Sequence, residues 1–344
     1  LIWDEITATE IIIKLSGESL AIGQGILRNS FTNYWGRSQR LLRMDLVNNY
    51  SSLLVSMVLG AVLGLAMYLP LMAGQLSLAT AGFYALGGYT AAIMSSWGDG
   101  ANLLFVFLEM LVAGGGCAVL AIVLGLPVLR LQGVYLAIAT IAFGEILRII
   151  CLNLEVTGGA VGIFGIAQPF DSQLGYLWLA LPTLIGSMAL VYRLERIKAG
   201  RAMQAIRSDQ LAAATLGINP SYYKLMAFTM GAVLAAIAGV ISAHFLNTWN
   251  ARQGTFDTSI THLAFVLLGG ARTFVGPVVG GMVLTALPEA LRALSGISGI
   301  PLGLGQFLRD GRLVIFGLLI VVGSIFYPRG LITPQLLGRW SRPN

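Results

Sequence analysis

Runs of about 20 apolar residues, the length a helix needs to cross a bilayer, follow one another along this chain. They are Asn48–Leu69, Leu103–Leu126, Val134–Asn153, Tyr176–Tyr192, Leu225–Phe245 and Leu313–Tyr327. Hydrocarbon offers no partner to a free backbone N–H or C=O, so segments of this kind are helical. Composition agrees: of 344 residues, 56% are hydrophobic and only 10% charged, too few charges to coat a soluble domain of this size. The sequence predicts an all-α, polytopic integral membrane protein, with six clear spans and two broken or re-entrant helical stretches.

The broken stretches are Pro70–Trp97, with Pro70, Gly74, Gly82, Gly87 and Gly88, and Ser259–Leu291, with Gly269, Gly270, Gly276, Pro277, Gly280, Gly281 and Pro288. Interrupted backbone is tolerated at membrane depth where protein or a wet cavity satisfies the freed polar groups. One stretch lies near each end of the chain, a pairing that marks a substrate path between structural halves. The candidate path residues are Gly74, Gln75, Ser77, Gly87, Gly88, Glu145, Gly269 and Gly270. The other reading is close helix packing, because Gly60-x-x-x-Gly64 and Gly276-x-x-x-Gly280 fit the small-xxx-small pattern. A path with few charges and many Gly, Ala, Leu and Ile positions suits a small neutral or zwitterionic solute better than a polyanion.

The one long hydrophilic break, Tyr192–Lys224, carries Arg193, Arg196, Lys198, Arg201, Arg207 and Lys224 against Glu195 and Asp209. A positive loop between spans faces the cytoplasm by the charge-bias rule. Ala212-Ala213, then Gly217, then Ile218-Asn219-Pro220 predict a short helix, a stop and a turn. A rigid charged bracket there gives a separate machine something to push. The same rule puts Arg37, Arg40, Arg43, Arg130 and the Arg329, Arg339, Arg342 tail inside, with both termini cytoplasmic. These agree if each broken stretch makes an even number of crossings. The outer loops then hold Asp99, Glu155, Asp171 and Asp257, with Arg252 as their cation. Residues 1–46 read as a cytoplasmic extension or membrane-surface segment, 47–331 as the membrane domain, 192–224 as its cytoplasmic loop and 332–344 as a cytoplasmic tail. The chain begins at Leu1 rather than Met, so a trimmed natural start is expected, and charges at Asp4, Glu5, Glu10, Lys14 and Glu18 break any signal-peptide core. The net charge of +6 sits in short loops rather than on one face, which argues against nucleic acid as a partner.

Glu145, near the middle of a span, is the most unusual charge, since intramembrane carboxylates are paired or line water. Arg148 at i+3 makes a structural ion pair the favoured reading; the sharper one has Glu145 face the path and meet a substrate ammonium. Glu109 is expected to snorkel toward the membrane boundary. His244 and His262 lack a carboxylate or Cys at metal spacing and read as interfacial or packing residues, and Cys117 and Cys151 as small packing residues. No metal or cofactor is expected in this chain. It contains no G-x-x-x-x-G-K-[ST] phosphate loop, no HExxH and no GxSxG, so neither ATP hydrolysis nor a membrane-embedded enzyme is expected of it. A stand-alone secondary transporter driven by an ion gradient would want buried carboxylates with ion-ligand partners, and Glu145 is the only candidate.

Four blocks of residues resemble a known family. They are Gly74-Gln75-Leu76-Ser77-Leu78 with Gly87-Gly88-Tyr89-Thr90-Ala91-Ala92, and Arg130-Leu131-Gln132-Gly133-Val134-Tyr135-Leu136-Ala137-Ile138 continuing to Phe143-Gly144-Glu145-Ile146 and Arg148. The third joins Gly200-Arg201-Ala202, Ala205-Ile206-Arg207 and Gly217-Ile218-Asn219 to Lys224-Leu225 and Ala227-Phe228; the fourth is Leu268-Gly269-Gly270, Gly276-Pro277 and Pro328-Arg329-Gly330-Leu331. In this order they are similar to the LivM-type permease subunit of branched-chain amino-acid ABC importers, whose relatives carry other neutral amino acids, amides or urea. Two positions depart from it. Ala79-Thr80-Ala81 replaces a region where the family commonly has a His, and Leu211 stands where its loop helix often begins with a carboxylate, with Asp209 close by.

The resemblance implies a permease that forms half of a translocation pathway in the inner (plasma) membrane. It implies a second homologous permease, two cytoplasmic ATPase subunits that bind ATP and Mg, a periplasmic or extracellular solute-binding protein, and membrane lipid around the spans. The helix around Ala202–Gly217 would then dock in a cleft of the ATPase, through Arg201, Arg207, Asp209, Ala212, Ala213, Gly217 and Asn219. A permease for urea or an amide is the alternative within the family. The Thr157-Gly158-Gly159 and Gly162-Ile163 loop matches an external feature of the family, at the mouth or the binding-protein contact.

Overall fold

The computed structural model describes residues 51–98, 102–170 and 172–295, together with 314, 317, 318, 321 and 322. Among these the chain forms ten α-helices: α1 (Ser51–Met72), α2 (Thr80–Trp97), α3 (Leu103–Val128), α4 (Val134–Asn153), α5 (Leu177–Arg196), α6 (Lys198–Ser208), α7 (Gln210–Thr215), α8 (Pro220–Leu246), α9 (Phe256–Gly269) and α10 (Val275–Ser295). Short 3-10 turns occupy Glu155–Thr157, Gln173–Tyr176 and Ala251–Gly254. A two-stranded antiparallel ribbon pairs β1 (Ile163–Phe164) with β2 (Thr248–Trp249). Five helices, α1, α3, α4, α5 with its preceding turn, and α8, are long and apolar enough to cross a membrane. The all-α polytopic architecture is therefore the observed one. Of the sixth run, Leu313–Tyr327, residues 314, 317, 318, 321 and 322 are helical; the remainder, with residues 1–46 and 332–344, lies outside the described residues.

Burial sorts the spanning helices. α1 and α8 are 72% and 67% buried over their apolar windows, against 28% for α3 and α4 and 33% for α5. The first two form the centre; the other three surround it and turn side chains such as Leu111, Tyr135 and Trp178 outward. Helix ends follow local chemistry more than hydrophobicity. α5 runs past its apolar stretch to Arg196, with Arg193 and Arg196 in a last turn whose dipole favours cations. α8 starts at Pro220, not Leu225, because the Asn219 side chain accepts from the Ser221 and Tyr222 amides at 3.1 and 3.3 Å and Pro220 needs no donor there.

The first broken stretch differs from expectation. α1 continues through Pro70 to Met72, and the Pro70 carbonyl then accepts from the amides of Ala73 (3.1 Å) and Gln75 (3.0 Å). Gly74 supplies the left-handed residue (φ +73°) that this helix ending requires. Residues 75–79 form neither helix nor strand, and the chain returns as α2. This turn lies at the end of the bundle that carries α6 and α7, because Tyr68 meets Glu195 there. The stretch thus contributes the end of α1 and one returning helix, α2; Arg37, Arg40 and Arg43, on which the even-crossing expectation partly rests, lie outside the described residues. The second broken stretch is the expected pair: α9 and α10 form a helical hairpin that turns at residues 270–274, also at the α6–α7 end.

Glycines set the helix crossings. A Cβ at Gly281 would strike the Gly60 backbone (2.6 Å from its C), one at Gly64 the Pro277 carbonyl (2.5 Å), and one at Gly269 the Gly276 backbone (2.6 Å from its C). At the opposite end, Trp249 is fully buried, donates its indole N–H to the Ala85 carbonyl at 3.0 Å and stacks edge-on with Tyr84.

Candidate functional site

Irregular backbone inside an apolar bundle must find side-chain partners, and residues 75–79 find them on two other helices. The Leu78 amide donates to Thr140 Oγ1 of α4 (2.9 Å), and Ser259 Oγ of α9 donates to the Leu78 carbonyl (2.7 Å). Ser77 is buried and its Oγ accepts from the Ala79 amide at 3.4 Å. Gln75 is 1% exposed, yet neither Oε1 nor Nε2 has a partner among the described residues. A buried amide left unbonded costs about 1–3 kcal/mol.

The basic segment folds as two helices, α6 and α7, rather than one around Ala202–Gly217. Asp209 breaks them: it ends α6 in an extended conformation and caps α7, accepting from the Leu211 (2.8 Å) and Ala212 (3.1 Å) amides. Gly217, with φ +81°, terminates α7, and Lys224 Nζ ties it to α8 through Gln210 Oε1 at 2.7 Å. α6 buries Gly200, Ala202, Met203 and Ile206. Ala213 is buried, whereas Arg201, Arg207, Asp209 and Ala212 are exposed. Leu211 and Leu216 are 81% and 80% exposed, two apolar side chains on the outside of a charged segment.

Both broken stretches turn against α6. Arg207 Nη1 donates to the Ala271 carbonyl at 2.8 Å, and a Cβ on Gly74 would lie 3.0 Å from Arg207 Cα. Beside it, the Tyr68 hydroxyl of α1 donates to Glu195 Oε1 of α5 at 2.7 Å, and the Phe274 amide reaches the same carboxylate. The Tyr192 ring meets Phe274 edge-on, with Arg196 Cζ 4.2 Å above it. One residue of the basic loop therefore touches the turn of each broken stretch, and a carboxylate at the end of α5 holds α1 and the α9–α10 turn together.

Residues 49–323 match a family described as the permease component of the branched-chain amino acid transport system. The chain belongs to this permease family. It is 33% identical over 298 residues to the high-affinity branched-chain amino acid transport system permease protein LivM of Escherichia coli, a match covering 77% of this chain. The chain spans 66% of that relative's length, just under two thirds. It is also similar to LivH of Salmonella typhimurium, a permease of the same kind of system (29% over 133 residues; 38% of this chain, 42% of LivH), and to the ribose import permease RbsC of Escherichia coli (27% over 273 residues; 73% and 80%).

The other singled-out residues of this permease are dispersed. Gly87 and Gly88 of α2 face α8 and Trp249, and Gly269 and Gly270 face α10. Glu145 forms the structural pair with Arg148 at 2.7 Å, both side chains about one-third exposed. Cys117 and Cys151 are buried. Glu109 does not snorkel: it is fully buried and bonded to Nε2 of the equally buried His244, whose Nδ1 lies 2.7 Å from the Ala167 carbonyl. A carbonyl only accepts, so Nδ1 carries a proton and one further proton is shared between Nε2 and Glu109 Oε2. This pair ties α3 to α8 and to the 154–176 connection. Its partners are 135 residues apart, and no local spacing announces them. His262 is buried edge-on to Tyr84.

Proposed function

We propose that this permease is the transmembrane subunit of an ATP-driven, binding-protein-dependent importer of branched-chain or other neutral amino acids, forming half of the pathway in the inner membrane. A second homologous permease, two cytoplasmic ATPase subunits and an external solute-binding protein complete it, with ATP and Mg on the ATPases. The observation that carries this reading is the position of Arg207, against the turns of both broken stretches. Leu211 and Leu216 give the ATPase an apolar grip on α7, and α6 transmits its movement as a rigid body. Displacing α6 then pulls on Gly74 and Ala271 together, so the irregular segment with Gln75 and the α9–α10 hairpin shift in one step. Amino acids are favoured over sugars by the LivM likeness and by a lining poor in polar groups.

The test is uptake by the complete complex in proteoliposomes. Leucine uptake should require ATP. Arg207→Glu removes the donor to Ala271, and Gly217→Pro imposes a negative φ where the chain needs a positive one. Both should leave ATP hydrolysis running while uptake per ATP falls. Unchanged coupling in both variants refutes the role of the segment, and uptake driven by an ion gradient with no ATPase bound refutes the importer.

A further inference from the structure

At the end of the bundle opposite α6 and α7 there is an open cleft of about 350 Å³, lined by Arg148 and Leu152 of α4, Ala160 and Val161, and Asn250 and Arg252 beyond β2. Among the described residues its lining holds two guanidinium groups and no carboxylate. Arg252 is exposed and in no ion pair among the described residues. Arg148 gives only Nε to Glu145, which leaves the terminal nitrogens of its guanidinium for another acceptor. Arg148 and Ala251 also border a narrow apolar slot that continues between α2 and α4, bounded by Gly82, Tyr89, Gly144 and Gly254. The Tyr89 hydroxyl there is buried without a partner among the described residues.

We infer that this cleft is the outer mouth of the path, and that Arg148 and Arg252 hold the carboxylate of an arriving zwitterionic solute while its apolar side chain enters the slot beneath. This rests on the amino-acid import reading and assigns residues to it. The cleft is of the size that holds small molecules, about 300–1,000 Å³, and a guanidinium offers a carboxylate a planar fork. With Glu145 counted, the three charges sum to +1, which attracts a carboxylate, and Glu145 stands one helical turn away for the ammonium. The slot has no charged group of its own beyond Arg148. It therefore suits an aliphatic side chain, and the Tyr89 hydroxyl is a polar atom such a solute would meet further in. In this structure the slot is nearly closed, with about 10 Å³ of free volume, so α2 and α4 must part for a side chain to enter; a Cβ on Gly254 would already touch the Ala85 Cβ at 3.0 Å.

The experiment uses the complete reconstituted importer, with leucine-loaded binding protein at saturation. Arg252→Gln should lower leucine uptake roughly tenfold or more, the loss expected for one hydrogen bond to a charged group, with ATP hydrolysis and binding-protein affinity unchanged. Arg252→Lys should recover part of it. Gly144→Val is the second variant: a Cβ there meets nothing nearer than the Gly254 carbonyl at 4.0 Å, so the substitution fits the backbone and fills the slot, and uptake should stop while the complex still assembles. Undiminished uptake in both variants overturns the inference. So does an Arg252→Gln defect confined to binding-protein docking and cured by excess binding protein, because the cleft then receives an acidic side chain of that protein. A wild-type complex that imports no amino acid defeats the broader reading instead, before any variant is made.

Discussion

Replacing Gly87 with alanine should pry α2 from α8. The new Cβ would stand 2.6 Å from Ala236 Cα and 2.7 Å from its carbonyl carbon, with the carbonyl oxygen closer still. Ordinary contact begins at 3.4 Å, so the helices must part by at least 0.8 Å (3.4 less 2.6) at their crossing to clear Ala236 Cα, and further to clear its carbonyl oxygen. The obstructing atoms are backbone and cannot rotate aside. Overpacking of this kind costs about 1–3 kcal/mol, and crowding by three backbone atoms at once puts the site at the upper end. Alanine recovers about 1 kcal/mol of helix propensity, which leaves a net loss of about 2 kcal/mol, a factor of about 30 in the folding equilibrium. The movement also loosens Trp249, seated over Gly88 and bonded to Ala85, so its fluorescence should report the change. Gly115→Ala is the control, since a Cβ at this exposed α3 position meets no atom within 4 Å. The assay is unfolding of the purified permease in mild detergent, followed by tryptophan emission. If Gly87→Ala unfolds at the same point as Gly115→Ala, the claim that backbone contact sets the α2–α8 crossing is wrong.

Asp209→Ala and Asn219→Ala should each cost about 1 kcal/mol by removing a helix cap, seen as faster hydrogen exchange at Leu211 and Ala212 in the first and at Ser221 and Tyr222 in the second; protection equal to wild type would contradict the capping geometry. Glu109→Ala should destabilise the permease by about 3–5 kcal/mol in the same unfolding assay, because it strands a buried imidazole, while Glu109→Leu with His244→Phe should be milder than Glu109→Ala alone. The reverse order would mean the pair is not the tie between α3 and α8.

Much of the bundle was legible because hydrophobic length alone defines a span. Val134–Asn153 is helical over the bounds read from sequence, and Leu103 starts α3 as expected. Ends shifted where a cap or a charge overrode hydrophobicity, as at Asn219 and Arg196. Pro70 misled, because a proline near a helix C-terminus leaves its own carbonyl free to accept, and that carbonyl closes the end of α1. Roles were harder to read than elements. A glycine that lines a path and a glycine that admits a neighbouring helix both need the Cβ to be absent, so Gly74 and Gly87 look alike in sequence although one ends α1 beside Arg207 and the other meets Ala236. The Glu109–His244 pair stayed hidden because neither residue has its partner within a helical turn. Asp209 was noted as a nearby carboxylate, but only the backbone shows that it divides the loop into two helices.

The contrast between two kinds of contact explains why a bundle this close-packed can still move. Crossings set by glycine against backbone, α2 on α8 and α9 on α10, have no room to slide and act as stiff joints. The irregular residues 75–79 are held differently, by single hydroxyl contacts from Thr140 and Ser259, and the α9–α10 turn is held by Arg207 and Glu195. Such bonds can exchange partners, with the Gln75 side-chain amide beside them having no partner among the described residues, whereas a backbone ladder would have to be broken. The basic segment touches the bundle at these exchangeable points. On the proposed coupling, a push on α6 acts where the structure yields most easily, while the α2–α8 and α9–α10 crossings move as stiff units.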